Sequence, residues 1–361
     1  MGTHRSLHLL APFIVLFALA ICGCNEASSE RPTTNEAFVD SILFSLSLED
    51  KVGEMTQLTL GAIGTGSSSK LDEPQHLDSV KMRKALIDYK VGSILNCGNH
   101  EHSPEKWHEF INDIQSVAQQ KSSRIPVLYG VDAIHGPTYT ENGVLGPQQI
   151  GLGATWNPTI VREGAASTAR QVHALGIPWN FSPVLDLGRD PRWPRFWETF
   201  GEDPYLVSEM GIAMVDGYQN SDVPFAATLK HFFGYGFGLS GKDRTPAWIP
   251  ERQLREYFLP PFQKAIEAGA MSIMVNSGEI NGVPVHSSVA LLTDLLRDEL
   301  GFEGVVVTDW EDVKYLYTRH MIAHDYKDAT KQAIDAGIDM AMVPLDFDFS
   351  DHLLELVREG S

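Results

Sequence analysis

The chain has 361 residues, of which 43% are apolar, so it can bury one large hydrophobic core or two modest ones. Its formal net charge of -19 argues against a nucleic-acid-binding protein, because the sequence offers no basic patch to neutralise phosphates. A neutral or weakly charged ligand fits this composition better.

The first 24 residues have the layout of an export signal. A short basic start precedes an apolar stretch, residues 9–21, which is followed by small residues and cysteine. This stretch is shorter than a membrane-spanning helix, and Pro12 interrupts it. The letters ICGC resemble a bacterial lipobox, so we expect cleavage after Gly23 and lipidation of Cys24.

The polar stretch 25–37 is predicted to be a tether between the signal and the folded domain. We therefore expect an exported protein that touches a bacterial membrane, on the periplasmic side or at the cell surface, only through its N-terminal lipid. If Cys22 leaves with the signal and Cys24 carries the lipid, Cys97 is the one free thiol. Stability would then come from the core, because no disulfide could form.

From Phe38 onward, short apolar strands alternate with amphipathic helices, which favours a parallel sheet. Residues 47–50, SLED, have the pattern of a capping box and predict the start of a short helix. The predicted strands are 55–59, 91–96, 127–131, 181–186, 226–231, 272–276, 305–308 and 340–343. So many units in about 300 residues favour one (β/α)8 barrel over residues 38–361 rather than an open doubly wound sheet.

Polar side chains follow several predicted strands. Active sites of such barrels lie at the carboxyl ends of the strands, so these side chains are the first candidates. They are Asp132, Asp186, Lys230, His231, Ser277, Glu279 and Asp309. A single aspartate in such a place is more often a helix cap or a loop hydrogen bonder. Several of them on one rim predict a functional site.

One connecting segment, residues 190–205, is unusually rich in arginine, proline, tryptophan and acidic residues. Segments of this kind commonly bind ligands. Tryptophan faces pack against the C–H faces of sugars, while charged side chains hydrogen-bond neighbouring hydroxyls. The alternative is a loop that folds back on itself and is held by salt bridges.

Seven motifs, in their order and spacing, resemble the first domain of glycoside hydrolase family 3. They are KVGEMTQL, IPVLYGVDAIHG, QQIGLGATWNP, RDPRWPRFWETFGEDPYLV, ATLKHFFGYG, MVNSGEINGVPVH and GFEGVVVTDWEDV. The resemblance covers about residues 38 to 361 and is closest to the exported β-glucosidase and exo-β-glucanase branch. It implies a retaining β-glycosidase, acting without a cofactor or a metal, that releases terminal β-D-glucose from β-glucosides or β-glucan oligosaccharides.

The resemblance also implies roles for individual residues. The aspartate of the TDW motif, Asp309, would be the nucleophile that forms a covalent glycosyl-enzyme intermediate. The next residue, Trp310, would form a wall of the pocket. The residues implied for the hydroxyls of the terminal sugar are Asp132, Arg195, Lys230 and His231. A retaining enzyme also needs a second carboxyl group, about 5 to 5.5 Å from the nucleophile, as acid and then base.

The sequence departs from the family pattern in several places. Pro194 stands where glycine is usual, and Ile280 stands where some members have an aromatic residue, so we expect Glu279 to fill that part of the pocket. The segment KHFFGYGFGLSGKD lacks the aspartate-histidine pair of the N-acetylglucosaminidase branch, which disfavours that activity.

The acid/base residue has no counterpart in these motifs. In this branch a glutamate from a second domain has that role, and the sequence ends at Ser361, so we expect the acid/base in a domain that the sequence lacks. Glu279, Glu311 and Asp312 are alternatives within the chain, although the last two could simply start a helix.

Two other classes of function remain open from the sequence. One is a truncated barrel that binds sugar without turnover. The other is a metal-dependent barrel hydrolase, because GNHEH contains His100 and His102 near a predicted strand end. A metal site of that kind needs further histidine or carboxylate ligands at other strand ends.

Overall fold

A computed structural model describes residues 34–361. The predicted export signal and Cys24 lie outside the described residues, as does most of the predicted tether. Helix α1 spans Thr34–Ser45, so the last residues of the stretch 25–37 are helical. All of α1 except Ser45 falls in an N-terminal unit that ends at Phe44. The described part of the chain has no helix that is both long and apolar enough to span a bilayer.

Parallel strands form a nearly closed barrel of eight, which confirms the predicted (β/α)8 fold. The strands are β1 (Thr56–Thr59), β2 (Ser93–Leu95), β3 (Leu128–Val131), β4 (Trp179–Asn180), β5 (Ala226–Phe232), β6 (Ser272–Val275), β7 (Val305–Val307) and β8 (Ala341–Met342). Each strand pairs with the next along the chain up to β7, and β1 pairs with β8. A single bridge between Val307 and Met340 links β7 to β8.

After α1, helices alternate with the strands along the chain, and one of them precedes β1. The first of them, α2 (Leu48–Glu54), starts with the predicted capping box: Ser47 and Asp50 exchange side-chain to backbone hydrogen bonds. The others are α3 (Ser79–Arg83), α4 (Pro104–Ala118), α5 (Gln149–Gly153), α6 (Pro158–His173), α7 (Pro204–Gln219), α8 (Glu251–Gln253), α9 (Leu259–Glu267), α10 (Asp312–Thr318), α11 (Tyr326–Ala336) and α12 (Asp348–Glu359).

Shorter irregular segments complete the connections. Segments of π-helix span Lys84–Asp88, Leu254–Phe258 and Ala290–Glu299. Tighter 3-10 turns span Leu60–Ile63, Phe196–Glu198, Tyr235–Phe237 and Val285–Ser287. Two small antiparallel hairpins lie beyond the strand ends, one pairing Gly64–Thr65 with His76–Leu77 and the other pairing Glu279–Ile280 with Val283–Pro284.

The hydrophobic residues form two layers. A large layer lies between strands and helices, and it includes Cys97, a free thiol whose pKa burial raises to about 12. A smaller cluster contains Leu95, Trp179, Phe181, Met274, Val307, Met340 and Met342. The indole N–H of Trp179 bonds hydroxyls of β5 and β6, so this ring is fixed in place. Leu95, Met274 and Met342 from this smaller cluster also line the cavity described below.

The fourth strand differs from its prediction. The sequence predicts a strand at 181–186, but the ladder of β4 is limited to Trp179–Asn180, and further on only Val184 forms an isolated bridge. Pro183 carries no backbone N–H and cannot continue a ladder as a donor. The buried side chain of Gln149 replaces the missing partner, because it bonds both the N–H and the C=O of Val184 at 3.0 and 2.7 Å.

Candidate active site

A small cavity of about 90 Å³ lies at the carboxyl ends of the barrel strands. Its lining consists of Leu95, Asn96, Asp132, Arg195, Lys230, His231, Met274, Asp309, Trp310 and Met342. The fold therefore brings together the predicted nucleophile, the four residues predicted to bind the sugar hydroxyls, and the tryptophan predicted to form a wall of the pocket. Glu279 is not part of this lining; it pairs instead with Nδ1 of His320 at 2.6 Å.

Asp309 follows the buried strand β7 and is itself 7% exposed. Its Oδ1 accepts the backbone N–H of Trp310 at 2.6 Å, and its Oδ2 accepts the hydroxyl of Ser277 at 2.7 Å. The guanidinium of Arg244 lies 3.3 Å from Oδ1. Burial alone would raise the pKa of Asp309, but the charges of Arg244 and Arg195 and the hydrogen bond from the N–H of Trp310 outweigh it and hold the pKa well below its usual range. Asp309 is therefore ionised at neutral pH.

Asp132 also lines the cavity. Its Oδ1 lies 2.5 Å from Nζ of Lys230, which is almost fully buried. Asn96 donates to Oδ2 of Asp132 at 2.8 Å and accepts the backbone N–H of Asp132 at 2.9 Å. The backbone of Asn96 has a positive φ of 45°, a conformation that asparagine adopts more readily than most residues. Asn96 thus holds Asp132 in place from the end of β2.

Arg195 enters the cavity from the segment 190–205. It forms a double hydrogen bond with the buried carboxylate of Glu198, with both distances at 2.8 Å. Arg192 pairs with Asp190 in the same segment. Both interpretations of this segment therefore apply, because ion pairs hold the loop while one arginine faces the cavity.

The tryptophans of this segment do not line the cavity. Trp193 is buried edge-to-face against Tyr235, with ring centroids 5.3 Å apart. Trp197 is 45% exposed at the surface. The aromatic ring at the cavity is Trp310, which comes from the residue after Asp309.

The imidazole ring of His231 is fully buried and makes one hydrogen bond among the described residues, between Nδ1 and Oδ2 of Asp186 at 2.7 Å. Its Nε2 has no hydrogen-bond partner among the described residues and lies 3.7 Å from Oδ2 of Asp309. Burial lowers the pKa of His231 well below its usual value and raises the pKa of Asp186 to about 8. At neutral pH the two groups form a neutral pair, and Nε2 is free to bond a ligand hydroxyl.

Arg244 and Asp312 are the main site residues that the sequence analysis missed or left unassigned. Arg244 lies in the connection after β5 and bonds Asp312 at 3.0 Å as well as Asp309. Asp312 begins α10 and is 1% exposed. Its position three residues after Asp309 was the one available signal, whereas nothing in the sequence places Arg244 near a strand end.

The two histidines of GNHEH are engaged in other contacts. Nε2 of His100 lies 2.6 Å from the backbone oxygen of Ser67, and Nε2 of His102 lies 3.4 Å from Oε1 of Gln75. Within residues 34–361, no group of three or more histidine, cysteine or acidic side chains is arranged to hold a metal ion.

A (β/α)8 barrel that presents an ionised aspartate, an indole ring and several hydrogen-bonding groups in one small cavity has the architecture of a barrel glycosidase. The family model described as "Glycosyl hydrolase family 3 N terminal domain" matches residues 47–361. The chain belongs to glycoside hydrolase family 3, as the motifs predicted.

Two curated relatives and one solved structure show the range of similar proteins. Over 93% of this chain, the sequence is 42% identical to the lysosomal beta glucosidase of Dictyostelium discoideum. Over 71% of this chain, it is 41% identical to a beta-xylosidase of Formosa agariphila. The beta-glucosidase of Listeria innocua in complex with glucose has a TM-score of 0.77 at 29% identity, over 90% of this chain and 44% of that structure. The chain spans 43% and 36% of the two relatives.

Proposed function

We propose that this chain is the nucleophile-bearing barrel of an exported, lipid-anchored retaining β-glucosidase, which cleaves β-glucosides or β-glucan oligosaccharides through a glycosyl ester on Asp309. The observation that carries the proposal is the state of Asp309, a buried carboxylate kept ionised by Arg244 at the edge of the small cavity at the strand ends. Such a carboxylate can attack the anomeric carbon of a bound sugar.

The other cavity residues would bind the hydroxyls of the terminal sugar. Asp132 and Lys230 form an ion pair that can accept from one hydroxyl and donate to its neighbour. The unpartnered Nε2 of His231 lies close enough to Asp309 for a single hydroxyl to contact both. Arg195, which Glu198 holds in place, adds a donor from the segment 190–205. These groups are held by buried partners, so little reorganisation accompanies binding.

A larger groove, about 510 Å³ in volume, lies beside the cavity and shares Asn96 and Trp310 with it. Its lining includes Ser68, Ser69 and Asn99, from the segments after β1 and β2. We propose that this groove accepts the leaving group, with the indole of Trp310 against a second sugar. Both β-glucosides and short β-glucan oligosaccharides would fit such an arrangement.

Proton donation to the leaving group is the part of the reaction that the cavity supports least. The carboxyl groups in the cavity lining are Asp132 and Asp309, and each is paired with a cation, so neither carries a proton to donate. General acid catalysis typically contributes about 10² to 10⁴ in rate. For this chain assayed by itself, we expect a dinitrophenyl β-glucoside to react and cellobiose or laminaribiose to be almost inert.

A rapid-mixing experiment tests this proposal. After circular dichroism has confirmed folding, the chain is mixed with 2,4-dinitrophenyl β-glucoside and the release of dinitrophenolate is followed. We expect a burst close to one equivalent of protein followed by a slow phase, because attack by Asp309 needs no acid but hydrolysis of the ester needs a base.

The burst should be absent in Asp309→Asn and unchanged in Asp298→Asn, a matched variant at an exposed aspartate on the segment Ala290–Glu299. Glucose binding without any burst would favour a sugar-binding barrel instead. If the burst is seen, a comparison of dinitrophenyl glucoside and xyloside substrates would show which terminal sugar the cavity accepts.

A further inference from the structure

The hydroxyl of Ser277 lies between two buried carboxylates. Its Oγ is 2.7 Å from Oδ2 of Asp309 and is also hydrogen-bonded to Oδ2 of Asp312. A serine hydroxyl carries one proton, so it can donate to only one of these oxygens. The second oxygen must carry a proton of its own and donate it to Oγ, or else two lone pairs would face each other in a buried site.

The charges around this pair are too few for two ionised carboxylates. Arg244 is the cation in contact with both, 3.3 Å from Asp309 and 3.0 Å from Asp312. His286 lies 3.8 Å from Asp312, but burial lowers its pKa to about 3, so it is neutral. Arg319, at the end of α10, acts on Asp312 only at longer range. Arg195 also acts on Asp309, but its guanidinium is already paired with the buried carboxylate of Glu198. One guanidinium therefore balances one carboxylate, and a second negative charge would be left uncompensated.

The two carboxylates are not equivalent in this environment. Asp309 also accepts the N–H of Trp310, which favours its charged form. Asp312 is fully buried, and burial together with the charge of Asp309 raises the pKa of Asp312 to about 7. The proton is therefore expected on Asp312, in the order Asp312 to Ser277 to Asp309.

We propose that Asp312 is a positioning residue for the nucleophile: in the resting protein it holds a proton, donates it to Oγ of Ser277, and so directs the serine hydroxyl onto Asp309. This inference rests on the proposed function. The chain of hydrogen bonds fixes the orientation of Oδ2 of Asp309, while Arg244 and Trp310 fix Oδ1.

Formation of the glycosyl ester changes the charge balance of this pair. The Asp309 oxygen forms a bond to the anomeric carbon, the bond from that carbon to the leaving oxygen breaks, and its electron pair departs with dinitrophenolate. Asp309 then carries no charge and no longer opposes ionisation of Asp312. Asp312 can release its proton to solvent and become the counter-ion of Arg244, so attack is coupled to release of up to one proton.

The resting proton can be measured without any reaction. In the full chain labelled with carboxyl-13C aspartate, the signal of Asp312 is identified by its loss in Asp312→Asn and is followed against pH by NMR. We expect it to titrate near neutrality, at about 7, and to titrate lower in Asp309→Asn, where the neighbouring charge is absent. An Asp312 carboxyl that is already ionised at pH of about 5 would overturn the proposal.

The role of Asp312 in the attack by Asp309 is measured with 2,4-dinitrophenyl 2-deoxy-2-fluoro-β-glucoside in weak buffer containing a pH indicator. Dinitrophenolate leaves without taking a proton, so any proton released comes from the protein. We expect proton release with the wild type and none with Asp312→Asn. The labelling rate should fall about 10²-fold in Asp312→Ala. It should fall far less in Asp312→Asn, whose amide can still donate to Ser277 and accept from Arg244.

The outcomes separate this inference from the proposed function. Labelling without proton release, or equal rates for Asp312→Asn and Asp312→Ala, would contradict the role of Asp312 and leave Asp309 as nucleophile. No labelling of the wild type, together with a near-neutral Asp312 titration, would contradict the proposed function and support the resting proton. Asp298→Asn is the control, and its labelling and proton release should match the wild type.

Discussion

Just beyond β7, the carboxylate of Asp309 follows three valines and a buried threonine, which is an unfavourable place for a charge unless other groups stabilise it. Asp309 is stabilised by a guanidinium, a hydroxyl and a backbone N–H, each from a different part of the chain. The sequence predicted that Asp309 is a candidate site residue because it is a charged residue directly after a predicted buried strand. It could not predict Arg244, because the conformation of a long loop depends on tertiary contacts rather than on local pattern.

Asp132 offers the clearest test of sugar recognition. In Asp132→Ala, sugar hydroxyls lose an acceptor and Lys230 loses its partner, so binding of glucose should weaken by about 1 to 3 kcal/mol. Isothermal titration calorimetry measures this difference. Asn96→Ala, which loosens Asp132 but leaves its carboxylate and its ion pair with Lys230 in place, should cause a smaller loss. Equal glucose affinity in Asp132→Ala and the wild type would remove Asp132 from the binding site.

The raised pKa of Asp312 should also make the free energy of unfolding depend on pH. Its folded-state pKa, about 7, lies above that of an unfolded aspartate, about 3.9, so the folded state holds the extra proton between these values. The stabilisation is fully present below about pH 4 and is lost as pH rises towards 7, with a slope of about 1.4 kcal/mol per pH unit for one proton.

Urea unfolding of the wild type and Asp312→Asn at several pH values measures this slope as a difference. The difference in free energy of unfolding should move in favour of Asp312→Asn as pH rises, and the background from Asp186 and His231 should cancel. A difference that does not change with pH would show that Asp312 is ionised in the folded protein.

Among the elements, strands with uninterrupted apolar runs were predicted within one or two residues of their ends, for example β6 and β7. The prediction was least accurate at β4. An apolar run continues past Asn180, but Pro183 limits the ladder and a glutamine side chain from α5 satisfies Val184 instead. A side chain that substitutes for a neighbouring strand leaves no periodic signal in the sequence.

Because the side chain of Gln149 takes the place of a strand partner, its removal should destabilise the fold. In Gln149→Ala, the buried N–H and C=O of Val184 both lose their partner, so the free energy of unfolding should fall by about 2 to 5 kcal/mol. Urea unfolding measures it. Gln119→Ala, at an exposed glutamine after α4, is the control and should change stability little. A loss no larger than that of the control would mean that water replaces the side chain.

For the whole molecule, the family motifs predicted more than periodicity did, because they located Arg195 within an irregular loop. Glu279 shows the limit of that approach. Glu279 was expected in the pocket. It lies instead on a hairpin beyond β6, where its carboxylate pairs with His320. The position of a hairpin relative to a cavity is a property of the assembled barrel and not of any one motif.

The location of the protein is tested at its N-terminus. If Cys24 is lipidated, the protein should partition with membranes, and Cys24→Ala should appear in the soluble fraction or remain unprocessed. Cys22→Ala is the matched control and should behave as the wild type. Metabolic labelling with a palmitate analogue reports the lipid directly, and an unlabelled wild type would exclude the anchor.

The central claim is that Asp309 forms the covalent intermediate. The most direct measurement is peptide mass spectrometry of the chain after reaction with 2,4-dinitrophenyl 2-deoxy-2-fluoro-β-glucoside, which glycosylates the nucleophile and slows the removal of the sugar. We predict one fluorosugar per chain, located on the carboxyl group of Asp309 in the peptide containing TDW, and no label in Asp309→Asn. A sugar located on any other carboxylate, with Asp309 unmodified, would contradict the account.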